Sequence, residues 1–144
     1  GGKDHAAPRY IFTRLARTAR CLFPEEDDAV LDYLNEEGLN IEPKWYAPVL
    51  PMVLVNGVEG IGTGWSSNIP NFSPRDIIAN VRRYLKGEPL VPMQPWYRGF
   101  KGSVTPVKDK PGKYEATGAV VRSSRVRLEI VELPPRRWTQ DYKE

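Results

Sequence analysis

Tyr10 follows Arg9 and Pro8 in a short segment just ahead of a predicted helix. A phenol keeps its proton at neutral pH and needs a base or a metal-held partner before it attacks anything. Against a phosphodiester it has one useful property. The product is again a phosphodiester, so bond energy is stored and the cut reverses without ATP at that step. An adjacent arginine suits such chemistry, because planar guanidinium donors match phosphate oxygens and stabilise charge developing in phosphoryl transfer. Arg-Tyr alone is a weak pattern, since a tyrosine entering a helix is far more often packed than catalytic.

The second unusual stretch is Asn56-Gly57-Val58-Glu59-Gly60-Ile61-Gly62-Thr63-Gly64-Trp65, with four glycines in eight positions. It lacks the Gly-Lys-Ser/Thr ending of a nucleotide-triphosphate loop, and no helix opens directly after Gly57–Gly62 as a dinucleotide fingerprint requires. Tight turns and close backbone approach explain the glycines better. Ile61, flanked by glycines, is of a type that can wedge between base steps and kink a duplex, although local sequence alone favours a core isoleucine. His5 is the single histidine, so a His-based metal cluster or a Ser/His/Asp arrangement would have to include it. Cys21 reads as a small core residue on a helix face, and Trp45, Trp65, Trp96 and Trp138 read as core packing, with base stacking the minor alternative.

The elements that must position these residues follow from periodicity and punctuation. Residues 1–9 are loop-like. A helix is predicted over Thr13–Leu22 on Leu15, Ala19 and Leu22, and a second from Pro24 to Asn35. Glu25, Glu26, Asp27 and Asp28 crowd its first turn, where carboxylates suit the helix dipole better than they suggest a metal site. Gly38 closes that unit. Pro43, Pro48 and Pro51 exclude regular helix over Ile41–Asn71, within which Met52–Val55 reads as a short buried strand. Ser73-Pro74-Arg75-Asp76 is a strong helix start, carried by Ile77, Ile78, Val81, Tyr84 and Leu85 to about Lys86 and stopped by Gly87. Strands are predicted over Gly102–Val107, Tyr114–Arg122 and Arg125–Leu133, forming an antiparallel meander. The alternation in Val126-Arg127-Leu128-Glu129-Ile130 predicts one packed face. The class is α+β.

Composition sets the bounds. At 144 residues, 27% charged and 40% apolar, the chain has the profile of a globular protein long enough for one core. No run approaches the roughly 18 apolar residues of a membrane span, and a single cysteine excludes an internal disulfide, which fits a reducing compartment. The net charge of +3 is unevenly spread. Residues 1–23 hold five Lys/Arg against one acid, residues 24–45 one Lys against eight acids, and residues 46–144 fifteen Lys/Arg against nine acids. Two basic blocks around an acidic one fit an anionic partner on part of the surface. An opening Gly-Gly without methionine and a stop within the helix-compatible Trp138–Glu144 read as a segment of something longer.

Taken together, the stretches Gly1-Gly2-Lys3-Asp4, Ala7-Pro8-Arg9-Tyr10-Ile11-Phe12-Thr13, Leu22-Phe23-Pro24 and Asp27-Asp28 resemble the eukaryotic-type DNA topoisomerase II family. The resemblance continues through Glu42-Pro43-Lys44-Trp45-Tyr46, Pro51–Gly57, Glu59–Ser66, Phe100-Lys101-Gly102, Glu132-Leu133-Pro134 and Trp138-Thr139-Gln140, and so covers nearly the whole chain. A bacterial-gyrase-like protein fits the glycine-rich loop in outline, but the Gly-Lys-Asp lead-in and the Trp-Thr-Gln ending favour the eukaryotic type.

The resemblance implies that Tyr10 forms a transient 5′-phosphotyrosyl bond with DNA, that Arg9 aids the transition state, and that Ile61 inserts into bent duplex. That last role replaces the core role preferred from local sequence. Lys3, Gly62 and Thr63 fall with Ile61 on the DNA-binding side. Residues 1–47 would be the rear of a winged-helix domain and residues 48–144 the start of a tower domain. The whole enzyme would be a nuclear homodimer acting on double-stranded DNA, with its Mg²⁺ and ATP sites outside this chain, no metal site within it, and no membrane partner. The rival class is a non-catalytic DNA-binding module with Tyr10 structural.

Overall fold

The computed structural model describes residues 6–144. Lys3 and His5 therefore lie outside the described residues. The class is α+β as expected, with four helices, eight strands and antiparallel pairing throughout the described residues.

A 3-10 turn at Pro8–Tyr10 leads into extended chain, and only α1 (Ala19–Leu22) forms where a ten-residue helix was expected. Leu15, which should have anchored the helix face, is largely exposed. A short helix with nothing to cover its apolar stripe is marginal, so most of it does not form. The second expected helix is also replaced. Glu25–Val30 is a 3-10 turn, followed by the hairpin of β1 (Tyr33–Glu36) and β2 (Leu39–Pro43). A helix from Pro24 to Asn35 would have stacked Asp28 over Asp32, like charges four residues apart. Instead Glu37 and Gly38 both take positive φ, 52° and 85°, the signature of a two-residue primed turn. The Asn35 side-chain oxygen accepts from Gly38 N–H at 3.0 Å. Gly38 thus turns a hairpin rather than ending a helix.

Met52–Asn56 is helix α2, not a buried strand, because a run of four apolar residues does not distinguish the two and α2 has a neighbouring helix to pack on. That neighbour, α3 (Pro74–Leu85), follows the sequence closely: Pro74 at its first turn, Asp76 at its N-terminal end and Lys86 as C-cap. Ser73 contributes its backbone carbonyl to Ile77 N–H at 3.1 Å and makes no side-chain cap. Between the two helices lies the hairpin of β3 (Val58–Gly62) and β4 (Trp65–Ile69). Gly57, at its root, has φ +66°, and a Cβ there would stand 2.7 Å from both the Asn71 side-chain oxygen and the Ile69 carbonyl. Only glycine fits so close a backbone approach.

The rear third contains β5 (Ser103–Pro106) paired with β6 (Tyr114–Thr117), and β7 (Ala119–Arg122) paired with β8 (Leu128–Glu132). These are two separate hairpins rather than the expected meander. The break falls at Gly118, where an added Cβ would collide with the Glu132 carbonyl, and β7 is irregular just after it. The chain ends in α4 (Thr139–Lys143).

Cross-ties are mostly backbone. Val49 N–H donates to Leu22 O at 2.9 Å, Lys44 N–H to Asp32 O at 2.8 Å, Phe72 N–H to Leu54 O at 2.8 Å and Trp96 N–H to Asn71 O at 2.8 Å. Asn80 on α3 clamps Val91 with two bonds, its amide donating to the carbonyl at 2.8 Å and its oxygen accepting at 3.0 Å. Phe23 meets Tyr46 edge-on with centroids 5.7 Å apart.

The expected core is missing. Ile77, 1% exposed, is the sole buried hydrophobic residue among those described. The apolar alternation at Val126, Leu128 and Ile130 does not form a buried face: all three are exposed, Val126 at 98%. The solvent-accessible surface is 12870 Å², whereas a compact protein of this mass has roughly 7500 Å². No helix among the described residues is long and apolar enough to cross a membrane.

Two outcomes follow from this architecture. Expressed alone, the chain should bind a hydrophobic dye and melt over a broad range; a single sharp calorimetric transition carrying about 0.7 kcal/mol per residue would contradict the missing core. In the intact protein, Gly57→Ala should cost about 1–3 kcal/mol of local stability, read as faster amide exchange in β3 and β4, and unchanged protection there would refute the crowding argument.

Candidate functional site

Pro8 pre-sets the first residue of the 3-10 turn that carries Tyr10, and the turn is closed by Tyr10 N–H to Ala7 O at 3.0 Å and Ile11 N–H to Pro8 O at 3.1 Å. With so little room to bury it, the ring projects: Tyr10 is 76% exposed. Arg9 places its guanidinium carbon 5.3 Å from the Tyr10 ring centroid, within cation–π range. The two residues singled out in sequence are therefore one physical unit. The phenol and a permanent cation share a surface, and among the described residues no side chain hydrogen-bonds the Tyr10 hydroxyl.

The basic run ahead of the acidic segment also closes on itself. Arg20 pairs with Asp28 at 3.0 Å and lies 3.9 Å from Glu25. The hydrogen bond to Asp28, then the charge of the same carboxylate, pushes the Arg20 titration upward, so it stays cationic wherever the protein is folded. Among the described residues no group of three or more His, Cys, Asp or Glu side chains is arranged to hold a metal ion.

Ile61 occupies the hairpin of β3 and β4, opposite Ser66 and one pair from the Thr63-Gly64 turn. Side chains alternate across a strand, so Ile61 shares a face with Glu59, Ser66 and Asn68. It is the single apolar group on that face and is 94% exposed. A core role is excluded within this chain. Gly60 and Gly62 point to the opposite face, where Trp65 is 86% exposed. Ile61, Gly62 and Thr63 are thus brought together at one hairpin end, whereas no strand pairing joins them to Arg9 and Tyr10.

Two other expectations are corrected. Cys21 is exposed, not a core residue. All four tryptophans are exposed rather than buried in a core. A cavity of about 1120 Å³ does exist between Thr18–Leu22, α2 and the start of α3, and another of about 760 Å³ lies beside α4. Neither is lined by Tyr10 or Ile61. The candidate chemistry sits on projecting features rather than in a cavity.

Sequence reasoning also misses Arg136, whose guanidinium pairs with Glu59 across 77 residues of chain. The available signal is the Pro-Pro-Arg-Arg turn at residues 134–137, which by local pattern marks only the end of a strand.

Known proteins are similar to this chain. The model of the family described as the A-subunit of DNA gyrase/topoisomerase IV matches residues 1–144. DNA topoisomerase 2 of Pisum sativum is 60% identical over 144 residues, covering 100% of this chain and 10% of that protein. Human DNA topoisomerase 2-alpha is 51% identical, again over 100% of this chain but 9% of its own length. The crystal structure of the Plasmodium falciparum topoisomerase II DNA-binding, cleavage and re-ligation domain superposes with a TM-score of 0.79 at 55% identity, over 99% of this chain and 19% of that one. The chain spans about a tenth of the length of these curated relatives. Its sequence is similar throughout to a segment of eukaryotic DNA topoisomerase 2, and the chain belongs to the DNA gyrase/topoisomerase IV A-subunit family.

Proposed function

We propose that this chain supplies the nucleophile and the DNA-bending surface of an ATP-dependent type II DNA topoisomerase. The observation that carries the reading is the exposed Arg9–Tyr10 unit, a phenol with a guanidinium 5.3 Å from its ring on a turn open to a duplex. In the proposed step the Tyr10 hydroxyl oxygen bonds to phosphorus and the bond from phosphorus to the 3′ oxygen breaks. The phenolic proton leaves to a base and the departing 3′ oxygen gains one. The 5′ side stays on Tyr10 as a phosphotyrosyl diester, and attack by the 3′ hydroxyl reverses the step. Arg9 donates to the non-bridging oxygens as charge gathers there.

Residues 1–47 then form the rear of a winged-helix domain, with β1 and β2 as its wing, and residues 48–144 begin the tower. Ile61 is the wedge of this reading, and Lys3, Gly62 and Thr63 join it on the DNA side. Mg²⁺, which neutralises the scissile phosphate, and ATP, which drives passage of a second duplex, bind elsewhere in the proposed enzyme. The enzyme works as a nuclear homodimer so that each copy cuts one strand.

In the intact protein, Tyr10→Phe should retain duplex binding and lose cleavage by at least about a thousandfold, with no protein–DNA adduct after denaturation. Continued cleavage with adduct formation would sink the nucleophile assignment, and would leave a DNA-binding module as the better account. Ile61→Ala should lower the bent population of a doubly labelled duplex about fivefold or more while the melting temperature moves little, because an exposed isoleucine contributes little to folding. Equal energy transfer in both proteins would refute the wedge.

A further inference from the structure

We infer that Arg136 is a positioning residue that sets the angle of the hairpin bearing Ile61. This rests on the wedge reading given above, and the experiment separates the two.

Arg136 has φ +66°, the left-handed region that side chains other than glycine and asparagine rarely adopt. It lies third in a turn that begins at Pro134 and is closed by Arg137 N–H donating to Pro134 O at 3.1 Å. Proline at the second position and a positive φ at the third describe a type II turn, and glycine is the comfortable residue there. A long side chain held in a strained backbone state is a reason to ask what the side chain does.

The side chain reaches back 77 residues. Its Nη1 donates to Glu59 Oε2, and its Nη2 lies 3.2 Å from the position that a Cβ on Gly57 would occupy. The guanidinium therefore lies across the root of β3. Glu59 and Ile61 are two residues apart on one strand and share a face. Arg136 thus grips the same face of the ribbon that presents the apolar tip. Below this point the hairpin is tied by Phe72 N–H to Leu54 O at 2.8 Å and by the Asn71 amide to Val55 O at 3.1 Å. Those bonds fix where the ribbon starts, not its tilt. Arg136–Glu59 is the side-chain tie, among the described residues, between the strands of the ribbon and the rest of the fold.

The pair is partly exposed, with side chains 37% and 58% accessible. Such pairs contribute little to stability. What a fork-shaped donor on a carboxylate does fix is direction. A ribbon of two strands is otherwise weakly constrained, and a tip that must enter a base step needs its angle set before DNA arrives, or the ordering falls on the binding step.

The test turns on Arg136→Gly, which relieves the turn while removing the tether. In the intact protein it should lower the bent fraction of a donor- and acceptor-labelled duplex about fivefold, with duplex affinity within about twofold and no fall in melting temperature. Arg136→Lys should be intermediate, and Glu59→Arg combined with Arg136→Glu should recover most of the bending. Spin labels at Ser67→Cys and Arg82→Cys, in a cysteine-depleted background without DNA, should show a broader distance distribution in Arg136→Gly. Unchanged bending with an unchanged distribution would overturn the tether, as would a failed charge swap. A broadened distribution beside an Ile61→Ala protein that bends DNA normally would instead sink the wedge and uphold the tether.

Discussion

Scarcity of burial governs how this chain holds its shape. Hydrophobic stabilisation scales with apolar area removed from water, and here one isoleucine on α3 is fully removed while Phe12, Leu15, Val30, Leu39 and Leu128 remain in solvent. Order comes instead from hydrogen bonds closed within each hairpin and from a few backbone ties between successive segments. So many exposed large apolar side chains are more than scattered surface residues need, and where they adjoin they offer a face for other protein to cover. Relatives ten times as long have ample chain to provide that cover.

How far the sequence could be read tracks how local each element's causes are. Helix α3 was legible because proline, an early acid and a glycine stop all act within a few residues of where they sit. The stretch from Thr13 to Asn35 was not. Leu15, Ala19 and Leu22 predicted one helix, and Pro24 with the acids after it a second; short helices need a partner surface, and the chain took a short helix, a 3-10 turn and a hairpin instead. The Glu37-Gly38 turn carried a recognisable Glu-Gly signal that the acidic run before it obscured. The rear strands were placed to within a few residues, but the meander is divided at Gly118 into two hairpins, and the close approach of Glu132, fourteen positions away, is invisible from composition.

The candidate site divides in the same way. Arg9 and Tyr10 are neighbours in sequence and meet in space, so local reading sufficed to pair them. Ile61 was ambiguous because burial is a property of the fold: glycine flanks suit both a core position and a projecting one, and its exposure at the hairpin end decided between them. Arg136 was illegible for a further reason, since an ion pair spanning 77 residues leaves no trace in spacing.

Each pair of strands forms its own ribbon and shares no hydrogen bond with another: β1 with β2, β3 with β4, β5 with β6, β7 with β8. A sheet propagates any change in register to its neighbours, but four independent ribbons do not. The tips at residues 108–113 and 123–127 can therefore lengthen, shorten or change charge without shifting the strands that carry Ile61. The architecture insulates a fixed chemical unit from drift elsewhere in the same short stretch of chain, leaving those tips as the places where related proteins can diverge most cheaply.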